Sequence, residues 1–348
     1  MNLIRTLAAC ALSFGLVACG GGGGGTTTTS SALIGVALDR SVSPTKLYVT
    51  NSDNHTVQVV DLATNAVTAL AGLANTTGTA DGTGSVARFN SPYGIALSGT
   101  DFYVADTYNQ TIRKLTTSGV VSTLAGSAGT SGSLDGTSAA ANFYIPKSLV
   151  GDGGTNLYVV DSYNHTIRKV VISTGVVSTI AGYGGTPGTT DGTGTAAKFY
   201  TPFGITYDGT DLYVTDTANQ TVRKVSTAGV VTTWAGVAGT AGSTNDTGTA
   251  AKFNYPTGIV NDGTNLYVAD SENHVIRQIV IATKVVTTLA GTAGASGSTD
   301  GTGAAARFNR PIGLTIDSAG NMYVVDQNYT KIRKVTSAGV VTTLTASF

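Results

Sequence analysis

One tripeptide recurs along the chain at a spacing that leaves few architectures open. Leu47-Tyr48-Val49, Phe102-Tyr103-Val104, Leu157-Tyr158-Val159, Leu212-Tyr213-Val214, Leu266-Tyr267-Val268 and Met322-Tyr323-Val324 set their tyrosines 55, 55, 55, 54 and 56 residues apart. So regular a period marks a repeat array, in which each unit leaves an apolar face for its neighbours to cover. Composition agrees, because 46 of the 348 residues are Gly and 11% are charged. Val, Thr, Ile and Tyr in that setting favour strands joined by tight turns.

The fourth copy shows the unit. Gly204 to Tyr207, Leu212 to Thr215, Thr221 to Val225 and Val230 to Trp234 read as strands a, b, c and d. Turn chemistry separates them at Asp208-Gly209-Thr210, Asp216 to Gln220 and Ser226 to Gly229,. A four-stranded up-and-down sheet cannot bury both faces alone, so such sheets stack around an axis until a ring closes. Six copies predict an all-β, six-bladed β-propeller of four-stranded antiparallel blades, at about residues 32–72, 92–126, 146–182, 202–236, 256–291 and 311–348,. Leu33 to Asp39 is strand a of blade 1 and Val340 to Leu344 is strand d of blade 6. No strand is left over to exchange, so closure by packing is expected.

Asp106-x-x-Asn109-x-Thr111-Ile112-Arg113-Lys114, after Phe102-Tyr103-Val104-Ala105 and preceded by Pro92-x-Gly94-Ile95, resembles the NHL repeat. The resemblance covers residues 32–348 and implies the same fold.

Recurrent polar residues are read as framework, since catalytic groups do not occur five times in one chain. Asp106, Asp161, Asp216, Asp270 and Asp326 end strand b, and Arg113, Arg168, Arg223, Arg277 and Arg333 lie in strand c. They predict a ladder in which each Asp bonds turn amides or pairs with an Arg. Blade 1 carries Asn51 and Gln58 instead, losing both members together. Blade 6 has Tyr329 where Asn54, Asn109, Asn164, Asn219 and Asn273 stand elsewhere. The linkers from strand d to the next strand a also repeat, as Asp81 to Phe89, Asp135 to Phe143, Asp191 to Phe199, Asn245 to Phe253 and Asp300 to Phe308. An Asp or Thr N-cap ahead of small residues and one Phe predicts a single helical turn whose ring plugs between blades. Each linker offers one carboxylate, against the roughly six to eight oxygens of a calcium loop, which favours capping.

The three histidines, His55, His165 and His274, hold equivalent places in the b-to-c turns of blades 1, 3 and 5, where Gln110 and Gln220 stand in blades 2 and 4. Strand spacing sets such turns roughly 20–25 Å apart around the ring, too far to share zinc with bonds of about 2 Å. A turn-stabilising side chain is expected. Asp39, Asp152, Asp208, Asp262 and Asp317 end strand a and form a weak candidate ring for calcium at one channel mouth; Asp-Gly hairpin chemistry is the stronger reading,. No other cofactor and no catalytic residue is indicated.

Recognition is expected where the copies disagree. At the start of strand a the varying residues include Tyr93, Tyr144, Lys147, Tyr200, Phe203, Tyr255 and Arg310. Aromatics beside cations suit glycan stacking or a peptide anchor, and serve blade packing equally well.

Met1 to Arg5 is a short positive segment, Leu7 to Val17 is apolar but too short to span a bilayer, and Leu16-Val17-Ala18-Cys19 matches a bacterial lipobox,. Residues 1–18 are expected to be a lipoprotein signal peptide, with Cys19 acylated and residues 19–31 a Gly/Thr-rich tether. Cys10 falls within the removed part, so Cys19 is the sole remaining cysteine and disulfides are excluded. By resemblance to proteobacterial lipoproteins, Gly20 after that Cys leans toward the outer membrane. Lys plus Arg equals Asp plus Glu at 20 each, which gives nucleic acid no electrostatic hold,. The expected protein is a monomeric, lipid-anchored, non-catalytic scaffold of the cell envelope that binds an envelope protein or polysaccharide. A propeller enzyme of the lyase or lactonase type with an axial metal is the alternative.

Overall fold

Strand and turn residues fall where the repeat places them. A computed structural model describes residues 32–39, 45–326 and 330–348. The expected signal peptide, Cys19, the expected tether and Tyr329 lie outside the described residues. Blade 4 has strands Ile205–Tyr207, Asp211–Asp216, Thr221–Ser226 and Val230–Ala235, each within about a residue of its sequence expectation. Successive strands pair antiparallel, and six such sheets form the ring.

Five of the six sheets hold a fifth strand that the sequence pattern does not announce. In blade 2 it is Gly82–Thr83, which pairs with Val120 and Val121 on the outer strand. The linker thus first covers the outer edge of the blade it leads into, and then crosses to the inner strand. An uncovered edge strand invites pairing with other chains, and two residues suffice to blunt it. Blade 1 stays four-stranded because the tether ahead of it contains no copy of the linker.

After the short strand each linker makes a three-residue 3-10 turn, Gly84–Val86 in the first copy. Thr83, Thr137, Thr193, Thr247 and Thr302 stand at the N-cap, yet none makes a side-chain capping bond. The expected cap is therefore wrong, and the linker Asp has another task. Asp81 Oδ1 accepts from Arg113 Nη2 at 2.7 Å and from the Thr123 hydroxyl at 3.0 Å, because a buried guanidinium attracts a carboxylate more strongly than a turn amide does,. The plug is as expected: Phe89 is fully buried among Val57 and Ala71 of blade 1 and Phe102 and Val104 of blade 2.

Arg113 ties these pieces together. Its Nη1 donates to Asp106 Oδ2 at 2.7 Å and to the Arg88 carbonyl at 2.9 Å. Nη2 donates to the Ala80 carbonyl at 3.0 Å as well as to Asp81, and the guanidinium lies 5.3 Å over the Phe89 ring. Asp106 also accepts from Asn109 and from the Asn90 amide, both at 2.8 Å. Arg168, Arg223, Arg277 and Arg333 repeat the arrangement, with Asn245 in place of the linker carboxylate in blade 5. Burial pushes the five strand-b aspartates up to about 6 against the pull of each arginine,. Blade 1 lacks a linker to supply acceptors and uses a neutral pair, Asn51 Nδ2 to Gln58 Oε1 at 3.4 Å.

The ring closes without a shared blade. Ile34 and Leu33 pack against Ile312, Tyr323 and Val325 of blade 6, and Asn65 donates to the Thr345 hydroxyl at 3.1 Å. Gly313 is required here, since a Cβ would strike the Ile34 carbonyl oxygen.

Arg223→Met should cost about 3–5 kcal/mol of unfolding free energy by urea denaturation, because Asp216 is left buried and uncompensated. The double change Asp216→Asn with Arg223→Gln, which copies blade 1, should cost less than that single change. A double variant less stable than the single one would refute this account.

Candidate functional site

The site begins with a backbone constraint. The residue before each strand a, namely Ser91, Ile145, Thr201, Tyr255 or Arg310, has a φ of 49°, 53°, 44°, 58° or 57°, a left-handed conformation rare for side-chain-bearing residues,. The following Pro sets the chain into the inner strand. The left-handed amides are held by the preceding blade: Ser91 donates to His55 Nδ1 and Thr201 to His165 Nδ1, and Arg310 donates to His274 Nδ1, each at 3.1 Å. Ile145 and Tyr255 donate to Gln110 Oε1 at 2.7 Å and Gln220 Oε1 at 2.5 Å. The histidines are structural as expected, but they brace the next blade as well as their own turn.

This geometry gathers the irregular residues at the channel mouth. Lys147 Nζ lies 4.9 Å from the centre of the Phe203 ring, 5.9 Å from Tyr93 and 6.0 Å from Tyr163. Tyr93 and Phe203 stand 6.4 Å apart. Tyr144 packs edge-on to Tyr163 at 5.3 Å, and Tyr200 edge-on to His165 at 5.7 Å. Arg310 Nε donates to Glu272 Oε1 at 2.9 Å, next to Tyr255. Burial holds the Lys147 amine down to about 8 and pushes the Tyr93 hydroxyl up to about 12,. Tyr93, Lys147 and Phe203 thus converge, Tyr144 and Tyr200 flank them, and Tyr255 and Arg310 form a neighbouring patch.

Tyr108, Tyr163 and Glu272 belong to the same face and were missed from sequence. They occupy the position two after the strand-b Asp, where Asp53 and Ala218 stand in blades 1 and 4. That variation within a recurrent turn is the signal that finds them.

Below the mouth runs a channel of about 410 Å³ lined by strand a of all six blades, with Ile95, Leu149, Ile205, Ile259 and Leu314 on its wall. At its other end the Asp ring is spent on hairpin turns. Asp152 Oδ1 accepts the amides of Thr155 and Asn156 at 3.0 and 2.7 Å, and Asp208 Oδ1 accepts those of Thr210 and Asp211, both at 2.8 Å. Asp262 and Asp317 do likewise, and Asp39 ends its strand buried. Burial works against charge on Asp152 and Asp262, but the donors outweigh it and hold both below the usual carboxylate range. Among the described residues no group of three or more His, Cys, Asp or Glu is placed to hold a metal ion.

Comparison with known proteins bears on the repeat. Human NHL repeat-containing protein 2 is 32% identical over 293 residues, an overlap of 74% of this chain and 40% of that protein. The chain is a six-bladed β-propeller whose repeats are similar to those of NHL repeat-containing proteins. It spans less than half the length of that relative, and no family profile matches it. The propeller is similar in fold to an auxiliary nutrient binding protein from Bacteroides thetaiotaomicron, with a TM-score of 0.64 and 15% identity over 90% of this chain and 69% of that one. It is similar also to virginiamycin B lyase from Staphylococcus aureus, with a TM-score of 0.54 and 13% identity over 92% of this chain and 86% of that one.

The histidine braces predict a pH dependence. Burial holds His55, His165 and His274 below their ordinary value of 6.5, and each accepts a hydrogen bond only when neutral at Nδ1. A depressed histidine contributes stability that is complete above its unfolded value and is lost as pH falls toward the folded one. The variant with all three replaced by Gln, as nature has at Gln110 and Gln220, should lose less stability than the parent between about pH 7.5 and pH 5.5 in urea titrations. Equal losses would contradict the bracing role.

Proposed function

We propose that this propeller is a non-catalytic binding scaffold of the bacterial cell envelope, recognising a polysaccharide or protein there through the aromatic channel mouth. One observation carries the reading: Tyr108, Tyr144, Tyr163 and Tyr200 keep 49%, 39%, 43% and 45% of their surface exposed on one face, with Lys147 among them. Rings used for packing would be covered. Open ring faces beside a cation are suited to stacking on sugars or anchoring a peptide. The likeness to a protein described as an auxiliary nutrient binding protein supports a binding role.

The lyase or lactonase alternative asks more of the channel than its wall offers. Among the described residues that line it, Lys147 alone is ionisable, which leaves no pair for general acid–base transfer,. The proposed site is therefore a place to hold a ligand.

Envelope location rests on residues 1–31. Cys19 is proposed to carry the lipid and to hold a monomeric propeller on the outer membrane by the tether,. Cys19→Ser should abolish incorporation of radiolabelled palmitate and move the protein from the membrane to the soluble fraction; a membrane-bound, unlabelled parent would overturn the anchor.

Tyr163→Ala and Tyr108→Ala should each weaken binding to an envelope glycan or protein, first found on an array of both, by about 1–2 kcal/mol in calorimetry. Thermal stability should move by less than about 0.5 kcal/mol, since both rings are exposed. Unchanged affinity in both variants would refute the aromatic face as the binding surface.

A further inference from the structure

The charges at the channel mouth are not matched one for one. Arg310 has Glu272 as its counterion, and two strand-c lysines have theirs, Lys114 with Asp101 at 2.8 Å and Lys224 with Asp211 at 2.6 Å. Lys147 differs. Its amine is surrounded by Phe203, Tyr93 and Tyr163, lines the channel, and has no carboxylate partner among the described residues. Aromatic faces hold a cation by their quadrupole and leave its hydrogen-bond donors unused. A half-buried ammonium that lines an open channel without a carboxylate partner can pair with an anion from a ligand, because the low-dielectric surroundings that disfavour the charge alone strengthen its bond to a carboxylate,. Burial alone accounts for the lowered proton affinity of this amine, which agrees with the absence of an internal counterion.

The rings around it decide the rest of the ligand. Tyr163 and Tyr144 contact each other edge to face and remain exposed, and Tyr108 and Tyr200 extend the row on either side. A row of flat, partly exposed rings suits the apolar faces of successive pyranoses, each of which stacks on one ring. A carboxylate carried on such a sugar would reach into the mouth beside Lys147 while its neighbours lie on the tyrosines. We infer that the channel mouth binds an acidic glycan, one uronate carboxylate pairing with the Lys147 ammonium and the adjoining sugars stacking on Tyr163, Tyr144 and Tyr108. The inference rests on the binding reading above and names the ligand class for that same face.

The test uses the purified full chain and three probes: a trigalacturonate, its methyl-esterified form, which keeps the sugar rings and loses the charge, and a glutamate-rich peptide. The free acid should bind at least about tenfold more tightly than the ester in calorimetry near neutral pH, as a charge-assisted bond in a partly buried site implies. Lys147→Met should remove that preference and leave ester binding, and Lys147→Arg should keep the preference, which separates loss of charge from loss of fold. Equal affinity for acid and ester, or a preference that survives Lys147→Met, would overturn the pairing while leaving the binding reading intact. Peptide binding as tight as the free acid would overturn the sugar assignment. Failure of all three probes to bind would overturn the inferred ligand class, whereas the array of envelope glycans and proteins decides the wider reading.

Discussion

Everything in this propeller hangs on a buried arginine. Arg113 and its four counterparts are among the largest side chains removed from solvent, and a guanidinium in that position is tolerable only if nearly all its donors are satisfied,. Two carboxylates and two linker carbonyls take the Nη1 and Nη2 donors of Arg113, Nε has no partner among the described residues, and a phenyl ring covers one face. The linker is thereby fastened to strands b and c, its Phe is driven between blades, and its short strand is laid along the outer edge. Blade 1, with no linker ahead of it to offer carbonyls, cannot host the charge and carries a neutral amide pair.

The same fastening delivers the candidate site. Once the linker is pinned at Asn90 by Asp106 and at Ser91 by His55, the chain must enter the inner strand in a left-handed conformation followed by Pro92. That turn points each copy's variable residues at the channel mouth. Residues that differ from blade to blade are therefore displayed in a fixed ring by residues that do not, and a new ligand can be accommodated by changing the display without disturbing the frame.

The fold was legible from the tyrosine period, and the strands of blade 4 stand within about a residue of where β-branched runs and turn residues put them. The pairing of Asp106 with Arg113 was legible too, because both vanish together in blade 1. The fifth strand was not, since Gly82–Thr83 is too short to show any alternation. Asp81 was misread as a cap because an Asp ahead of small residues serves a helix start and an ion pair equally well in sequence, and only burial of the arginine separates the two. The cross-blade hydrogen bonds accepted by His55 and Gln110 span 36 and 35 residues and leave no local pattern,. Tyr108 and Tyr163 escaped notice for a different reason: they lie inside a motif whose flanking Asp and Asn are so regular that the varied position between them reads as filler.

The central claim is a division of labour between a recurrent frame and one variable face. Hydrogen–deuterium exchange of the protein with and without its bound ligand tests it most directly. The account predicts new protection confined to the b-to-c turns and strand-a starts of blades 2 to 5, around Tyr108, Lys147, Tyr163, Phe203 and Tyr255. Protection centred instead on the outer strands, or on the hairpins of Asp152, Asp208 and Asp262 at the opposite mouth, would contradict it.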